Sequence, residues 1–340
     1  MDPKKKKYRN YALVKEMFET VEVVKNFDPS AVNPYVGEIK KAGHLFLSGE
    51  GSSRIFPAKH AITRMRQWGS SFPVATEGGR QAMEYNLKNW AVFCASNSGK
   101  TAEMVSLLAW LKKKRNSLRF GLTSKEDTPL EKLCVKTHVL SCGWENAVAA
   151  TKSVVEQALF HHAMVSKLAG RSTSKSALTQ AAEAIESALT LNIQAGIVKK
   201  AAAAKRIYFA GRNDGVAEEL TLKTNEITRL PSAYLEGTYA VHGIEEVMNS
   251  NELVVVVDPF EEELDKFKQV LSKGVGMSLV AISDHKLSVP TIVIPTCKDF
   301  NAYVQLAAGW NLLVDIGLAN GVDLDTPVRA RKVGNEASAS

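Results

Sequence analysis

Two short stretches of the chain carry an unusual density of small polar groups. Ser96-Asn-Ser-Gly-Lys-Thr101 places three hydroxyls, an amide and a glycine in six residues, and Gly49-Glu-Gly-Ser-Ser53 adds two hydroxyls and two glycines. Each follows a short apolar run, residues 44–48 and 90–95, and precedes a segment with helical spacing. At a strand-to-helix turn, unsatisfied backbone N–H groups and the helix dipole favour an anion. The two loops together therefore read as a candidate phosphate cradle. Plain N-capping by Ser and Thr accounts for either loop taken singly, and the pairing of two such loops favours the ligand. Neither loop is a nucleotide-hydrolysis P-loop, because G-x-x-x-x-G-K-[ST] is absent, and neither has the three glycines of a dinucleotide fingerprint.

A second group of residues could move protons. Leu222-Lys-Thr-Asn-Glu-Ile227 is helical in pattern and sets Lys223 and Glu226 three apart on one face, the ordinary spacing of a surface ion pair. His242 lies among small residues in Tyr239-Ala-Val-His-Gly243, and Lys332 ends the basic stretch Pro327-Val-Arg-Ala-Arg-Lys332, which alone reads as a solvated segment. The four cysteines, Cys94, Cys134, Cys142 and Cys297, form no C-x-x-C pair and no metal-ligand cluster with histidine. No metal site is expected, and the cysteines read as buried small apolar residues in a reducing compartment.

These residues must be held by a repeated scaffold. Apolar runs at 44–48, 90–95, 118–123 and 137–140 alternate with helical segments through residue 168, which implies a parallel sheet covered by helices on both faces. Runs at 205–210, 252–257, 277–282 and 291–294 repeat the pattern about 155 to 160 residues later, as tandem copies of one domain do. The expected fold is thus α/β, two tandem doubly wound units. The expected boundaries are an N-terminal tail and helix (1–30), a first domain (31–170), a connecting helix (171–204), a second domain (205–325) and a C-terminal tail (326–340). Where the first copy has Ser96-Asn-Ser-Gly-Lys-Thr101, the second has Asp258-Pro-Phe-Glu-Glu-Glu263, and so many carboxylates would repel a phosphate. One phosphate site per chain, in the first copy, follows.

The 340 residues are 45% hydrophobic and 23% charged, a composition that excludes wholesale disorder and suits two domains. The net charge is +7, of which Lys4–Lys7 supply four, and the remaining +3 is too mild for a nucleic-acid groove. That lysine run reads as a solvated, disordered tail rather than a nuclear-localisation patch. No apolar run approaches the 18 or so residues of a membrane span, and no secretory signal is legible, so a cytoplasmic protein with no membrane partner is expected.

The tandem units, Ser96-Asn-Ser-Gly-Lys-Thr101 and Ala147-Val-Ala-Ala-Thr-Lys152 together resemble the double sugar-isomerase (SIS) domain family over nearly the whole chain. Within that family the chain resembles the isomerase half of glucosamine-6-phosphate synthase and the stand-alone amino-sugar-phosphate deaminases and fructosamine-6-phosphate deglycases. The resemblance implies that the first-copy loops hold a sugar phosphate and its sugar, through Gly51, Ser52, Ser53, Ser96, Asn97, Ser98 and Thr101, with Val148 and Ala150. It implies a catalytic glutamate at Glu226, with Lys223 three residues before and His242 sixteen after, and a carbonyl-facing Lys332 five residues past Pro327. It also implies isomerisation, deamination or deglycation of a phosphosugar without cofactor, in a homodimer with shared sites. The chain departs from the family at Ile244, where a proline usually follows His-Gly, and at Tyr239, where a glutamate usually stands; the sugar side of the pocket is therefore altered. No glutaminase nucleophile is present, so glutamine-dependent amination is not expected of this chain. A regulatory phosphosugar sensor would keep the loops but could discard Glu226 and His242, and a nicotinamide oxidoreductase lacks its glycines.

Overall fold

A computed structural model describes residues 1–337. In chain order its elements are α1 (Lys6–Arg9), α2 (Ala12–Asn26), α3 (Asn33–Ala42), β1 (Leu45–Gly49), α4 (Ile55–Gln67), β2 (Val74–Glu77), α5 (Gly79–Ala82), β3 (Ala91–Ala95), α6 (Ala102–Lys113), β4 (Arg119–Thr123) and β5 (Lys136–Val139). They continue with α7 (Lys152–Leu168), α8 (Lys175–Thr190), α9 (Ala195–Ala203), β6 (Ile207–Gly211), α10 (Val216–Ile227), β7 (Ser232–Glu236), β8 (Leu253–Val257), α11 (Leu264–Phe267), β9 (Ser278–Ser283), β10 (Thr291–Val293) and α12 (Asn301–Ala319). Two five-stranded sheets result, ordered β2-β1-β3-β4-β5 and β10-β9-β8-β6-β7, with every pairing parallel. The second order, read from its other edge, is the first repeated. Corresponding strands start 155 (136 to 291) to 162 (45 to 207) residues apart, so the chain is a duplicated doubly wound α/β unit as its periodicity predicts.

One compact unit gathers residues 22–145, 150–178 and the chain from Arg329, and holds the β1–β5 sheet; the other gathers 1–21, 146–149 and 179–328 around β6–β10. The cores follow from the period of two. In β3, Val92 and Cys94 face a cluster with Phe46, Leu107, Leu108 and Leu130. Phe93 between them points to the other face, where Tyr35, Phe120 and Phe160 lie within 5.1–5.6 Å of its ring centroid. A strand covered on both faces has no polar side, which is why Leu253-Val-Val-Val-Val257 is buried throughout.

Several expectations are corrected. The edge strands β2 and β7 escaped the sequence reading; their residues are almost all half-buried, and neither forms a continuous apolar run. The connecting helix is two helices, α8 and α9, broken at residues 191–194. The lysine run is no disordered tail: Tyr8 is buried, and its hydroxyl donates to Asp315 at 2.6 Å while Lys7 pairs with the same carboxylate. Of the cysteines only Cys94 is fully buried, the others being half-buried. Finally, Lys298–Ala319 is long and apolar enough to cross a membrane by length and composition, but 78% of its apolar window is buried inside the protein, as in a core helix. Gln305, Asn311 and Asp315 interrupt its apolar residues, so no unbroken run marks it.

Three histidines lie inside the β1–β5 unit on α4 and α7. His60 Nε2 is 3.3 Å from His162 Nδ1 with the rings stacked, and His161 stands edge-on to Phe93 and Phe160. Burial pushes the His161 pKa down to about 3, and burial with the neighbouring His162 and Arg64 charges holds His60 well below its usual value. In the unfolded chain such rings take up a proton below about pH 6.5. The depressed folded values mean that this stability is complete above that pH and is lost as pH falls, at about 1.4 kcal/mol per pH unit per histidine. We expect the urea midpoint to drop steeply below pH 6.5 or so, and His161→Leu, apolar among Phe93 and Phe160, to flatten the slope by one histidine's share. A His161→Leu profile parallel to wild type would show that His161 is not held neutral.

Candidate functional site

In an open parallel sheet, ligands bind beyond the carboxyl ends of the strands where the strand order reverses. In the first sheet that point lies between β1 and β3, which pair from Leu45↔Ala91 to Gly49↔Ala95 and end in the two hydroxyl-rich loops. The loop after β3 is internally fixed. Ser96 Oγ and Thr101 Oγ1 are 2.8 Å apart, Ser96 O accepts the Gly99 N–H and Ser98 Oγ accepts the Lys100 N–H. Gly99 has φ +65°, and a Cβ there would lie 2.4 Å from Thr128 Cβ, so the turn demands glycine twice over. Asn97 Oδ1 is buried and, among the described residues, accepts no hydrogen bond, which leaves an acceptor for a ligand hydroxyl. After β1, Gly51–Ser53 forms a single 3-10 turn with Ser52 and Ser53 half-buried, while the Glu50 carboxylate accepts the Gly79 N–H at 2.9 Å.

The C-terminal segment lies against the second of these loops. Thr101 and Glu336 form an antiparallel bridge, Ala102 N–H donates to Asn335 O at 3.0 Å, Ala337 N–H donates to Lys100 O, and Lys100 pairs with Glu336 at 2.8 Å. The first N–H of α6 is thus taken by the chain itself. Of the free N–H groups expected at this helix terminus, that of Ala102 is therefore occupied, while Ser96 and Ser98 are buried and the Ser96 and Thr101 hydroxyls bond each other. Lys332 is not a solvated tail residue. Its side chain is 18% exposed, with Nζ 3.9 Å from the Glu145 carboxylate and 5.7 Å from the Trp144 ring. Glu145, missed in the sequence, is fully buried and also accepts from Asn97 Nδ2 at 3.4 Å and from the Thr151 N–H at 2.7 Å. The only sequence signal was a carboxylate shortly before a helix, which is the sign of a cap. Ala150 is half-buried in the approach to α7 beside Thr151; Val148 is half-buried too but falls in the other compact unit, where the adjacent Ala147 N–H donates to Glu16 at 3.2 Å.

In the β6–β10 unit the order reverses between β6 and β8, where the loops carry opposite charges. Arg212 bonds Asp258 at 2.6 Å and lies 4.2 Å from the Phe260 ring. Burial, with the nearby Asp258 charge, pushes the Asp214 pKa up to about 6, and Asp214 caps α10 by accepting the Val216 N–H.

Along α10, Glu219, Lys223 and Glu226 form one stripe. Lys223 and Glu219 are fully buried, while the Glu226 side chain keeps 24% exposure. Lys223 Nζ lies 3.4 Å from Glu219 and 2.7 Å from Glu226 Oε2. The pair is therefore no surface ion pair, and Glu226 is the member of the stripe that reaches solvent. Gly309 lets α12 press against this helix, since a Cβ there would meet Leu220 at 2.3 Å. His242 is exposed on a loop, where its Nε2 lies 3.2 Å from Thr238 Oγ1. Within the separate units, the fold brings together Ser96, Asn97, Ser98, Thr101 and Lys332 on one side and Lys223 with Glu226 on the other.

No protein-family model matches the chain. In sequence it is 24% identical over 353 residues to the isomerizing glutamine–fructose-6-phosphate aminotransferase of Legionella pneumophila strain Paris, covering 94% of this chain and 57% of the relative. The Philadelphia 1 and Lens strains have the same protein at the same identity and coverage, so the chain spans little more than half the length of these relatives. In fold it matches the C-terminal domain of glucosamine-fructose-6-phosphate aminotransferase from Francisella tularensis, with TM-score 0.78, 20% identity and 95% and 100% of the two chains covered. It also matches tagatose-6-phosphate ketose/aldose isomerase from Escherichia coli (TM-score 0.80, 19% identity, 95% and 98% covered) and glucosamine-6-phosphate deaminase from Thermotoga maritima (0.72, 17%, 95% and 99%). The chain thus has the tandem sugar-isomerase fold, and its sequence resembles that of the isomerizing aminotransferases.

Proposed function

We propose that the chain is a phosphosugar isomerase-type enzyme that moves a proton between C1 and C2 of a sugar 6-phosphate or amino-sugar 6-phosphate. The observation that carries this reading is the hydroxyl-lined loop at the β1/β3 switch point, joined through Glu145 to a partly buried lysine. The relatives' names, with fructose 6-phosphate, tagatose 6-phosphate and glucosamine 6-phosphate, supply the substrate class. Ser96, Ser98 and Thr101, with Ser53, would hold the phosphate by charge-assisted hydrogen bonds, fixing the sugar without touching its reacting carbons.

Glu226 would take a proton from one of C1 and C2 and return it to the other, through an enediol or enolamine. Lys223 suits that role by fixing the carboxylate in one orientation. His242 would move the ring-opening proton between ring oxygen and hydroxyl. Lys332 would polarise the open-chain carbonyl, or add to it with loss of water to give an imine. Loss of an amine would need water as co-substrate and release ammonia, and isomerisation would need neither. His242 sits on an exposed loop between Tyr239 and Val247, which are 51% and 60% exposed, and such an apolar rim favours a homodimer in which this loop serves the neighbouring copy.

Three outcomes are expected. Ser96→Ala, Ser98→Ala and Thr101→Ala should each weaken phosphosugar binding by about 1 to 2 kcal/mol, measured by calorimetry, with unphosphorylated sugars binding poorly throughout. Equal binding of a sugar and its 6-phosphate would remove the loop from this role. In D2O, Glu226→Gln should abolish deuterium incorporation at C1 and C2, read by NMR, while binding is retained; exchange at the wild-type rate would exclude Glu226 as the base. For the dimer, Glu226→Ala and His242→Ala chains should be inactive alone, yet a mixed dimer should recover about half the wild-type rate, because two-fold symmetry leaves one site intact. Inactive heterodimers, or an active monomer in light scattering, would overturn sharing.

A further inference from the structure

Glu145 is a fully buried carboxylate on which three separate segments of the β1–β5 unit converge. From the start of α7, Thr151 donates its N–H at 2.7 Å and its hydroxyl at 3.2 Å, and Ser153 donates its N–H and its hydroxyl. From the loop after β3, Asn97 Nδ2 donates at 3.4 Å. From the C-terminal segment, Lys332 brings its ammonium to 3.9 Å. The α7 donors set the carboxylate rigidly, since a buried charge is tolerated only with its oxygens bonded. So anchored, it presents a negative charge to Lys332 and an acceptor to Asn97. Trp144, the residue before it, stacks under both Lys332 and Lys125, whose Nζ is 3.7 Å from the ring centroid.

We propose that Glu145 is the positioning residue for Lys332: its carboxylate, fixed by the N-terminus of α7, holds that ammonium in register with Asn97 and the hydroxyl loop. The proposal rests on the reading of Lys332 as the carbonyl-facing amine only for its catalytic consequence. The coupling itself is a property of the fold. Glu145 touches no reacting atom in this scheme and acts through another side chain.

The test has one arm that needs no turnover. In Glu145→Gln, labelling of Lys332 by trinitrobenzenesulfonate, measured by peptide mass spectrometry against the other lysines, should rise several-fold, and Glu145→Asp should bring it back toward wild type. Ser153→Ala, which removes one donor but no charge, should give a smaller rise in the same direction and serves if the Gln protein does not fold. Wild-type labelling of Lys332 in folded Glu145→Gln, or in Ser153→Ala where that protein stands in, overturns the proposal whatever the reaction. The second arm uses C1/C2 exchange. Glu145→Gln should lower kcat on the order of 100-fold with KM nearly unchanged, the loss expected of a misplaced group. In a Lys332→Ala background the same substitution should cost nothing further. An equal cost with and without Lys332 would assign Glu145 to structure alone. Absence of exchange in wild type with the labelling result intact would instead count against the isomerase reading and leave the positioning role standing.

Discussion

In a parallel sheet every strand must be reached by a crossover, and where the strand order reverses, successive crossovers cover opposite faces. The helices that follow the two central strands then diverge, and a crevice opens at the carboxyl ends of those strands. Each sheet here has that reversal, at β1/β3 and at β6/β8. No side chain creates the crevice. Right-handed crossovers impose it, and what the loops carry decides what it can take up.

The two copies answer that decision differently. At β1/β3 the loops carry hydroxyls, an amide whose oxygen accepts no hydrogen bond among the described residues, and no carboxylate between Ser96 and Thr101. At β6/β8 the guanidinium of Arg212 is met by Asp258, whose backbone takes the left-handed conformation at φ +46°. Duplication gave two reversal points, and the loops at them have diverged in charge.

Charge is buried in both units, and in both it is held by neighbours on a helix. A charge moved out of water costs several kcal/mol unless paired and hydrogen-bonded. Lys223 meets this between Glu219 and Glu226 on its own helix, and Glu145 meets it with α7 N–H groups, two hydroxyls, Asn97 and Lys332. Such arrangements specify position more than they add stability, because removing one member strands the others. That suits groups whose value lies in where they point.

The sequence by itself determined the α/β class, the duplication and the two polar loops. Strand, turn and helix N-terminus are adjacent in the chain, and alternation, glycine and Ser/Thr record them locally. It left β2 and β7 unread because half-buried edges carry no strong pattern, and α12 unread because a helix buried on nearly all sides shows little amphipathic period. Only the tertiary structure decided that Lys223 is buried rather than a surface partner of Glu226, since three-residue spacing is the same on either face of a helix. Only it brought Lys332 to Glu145 and laid Asn335 and Glu336 along the loop after β3. Those contacts join residues far apart in sequence, and closure of the chain around a core, not local propensity, sets which distant groups share a dry environment and must neutralise one another.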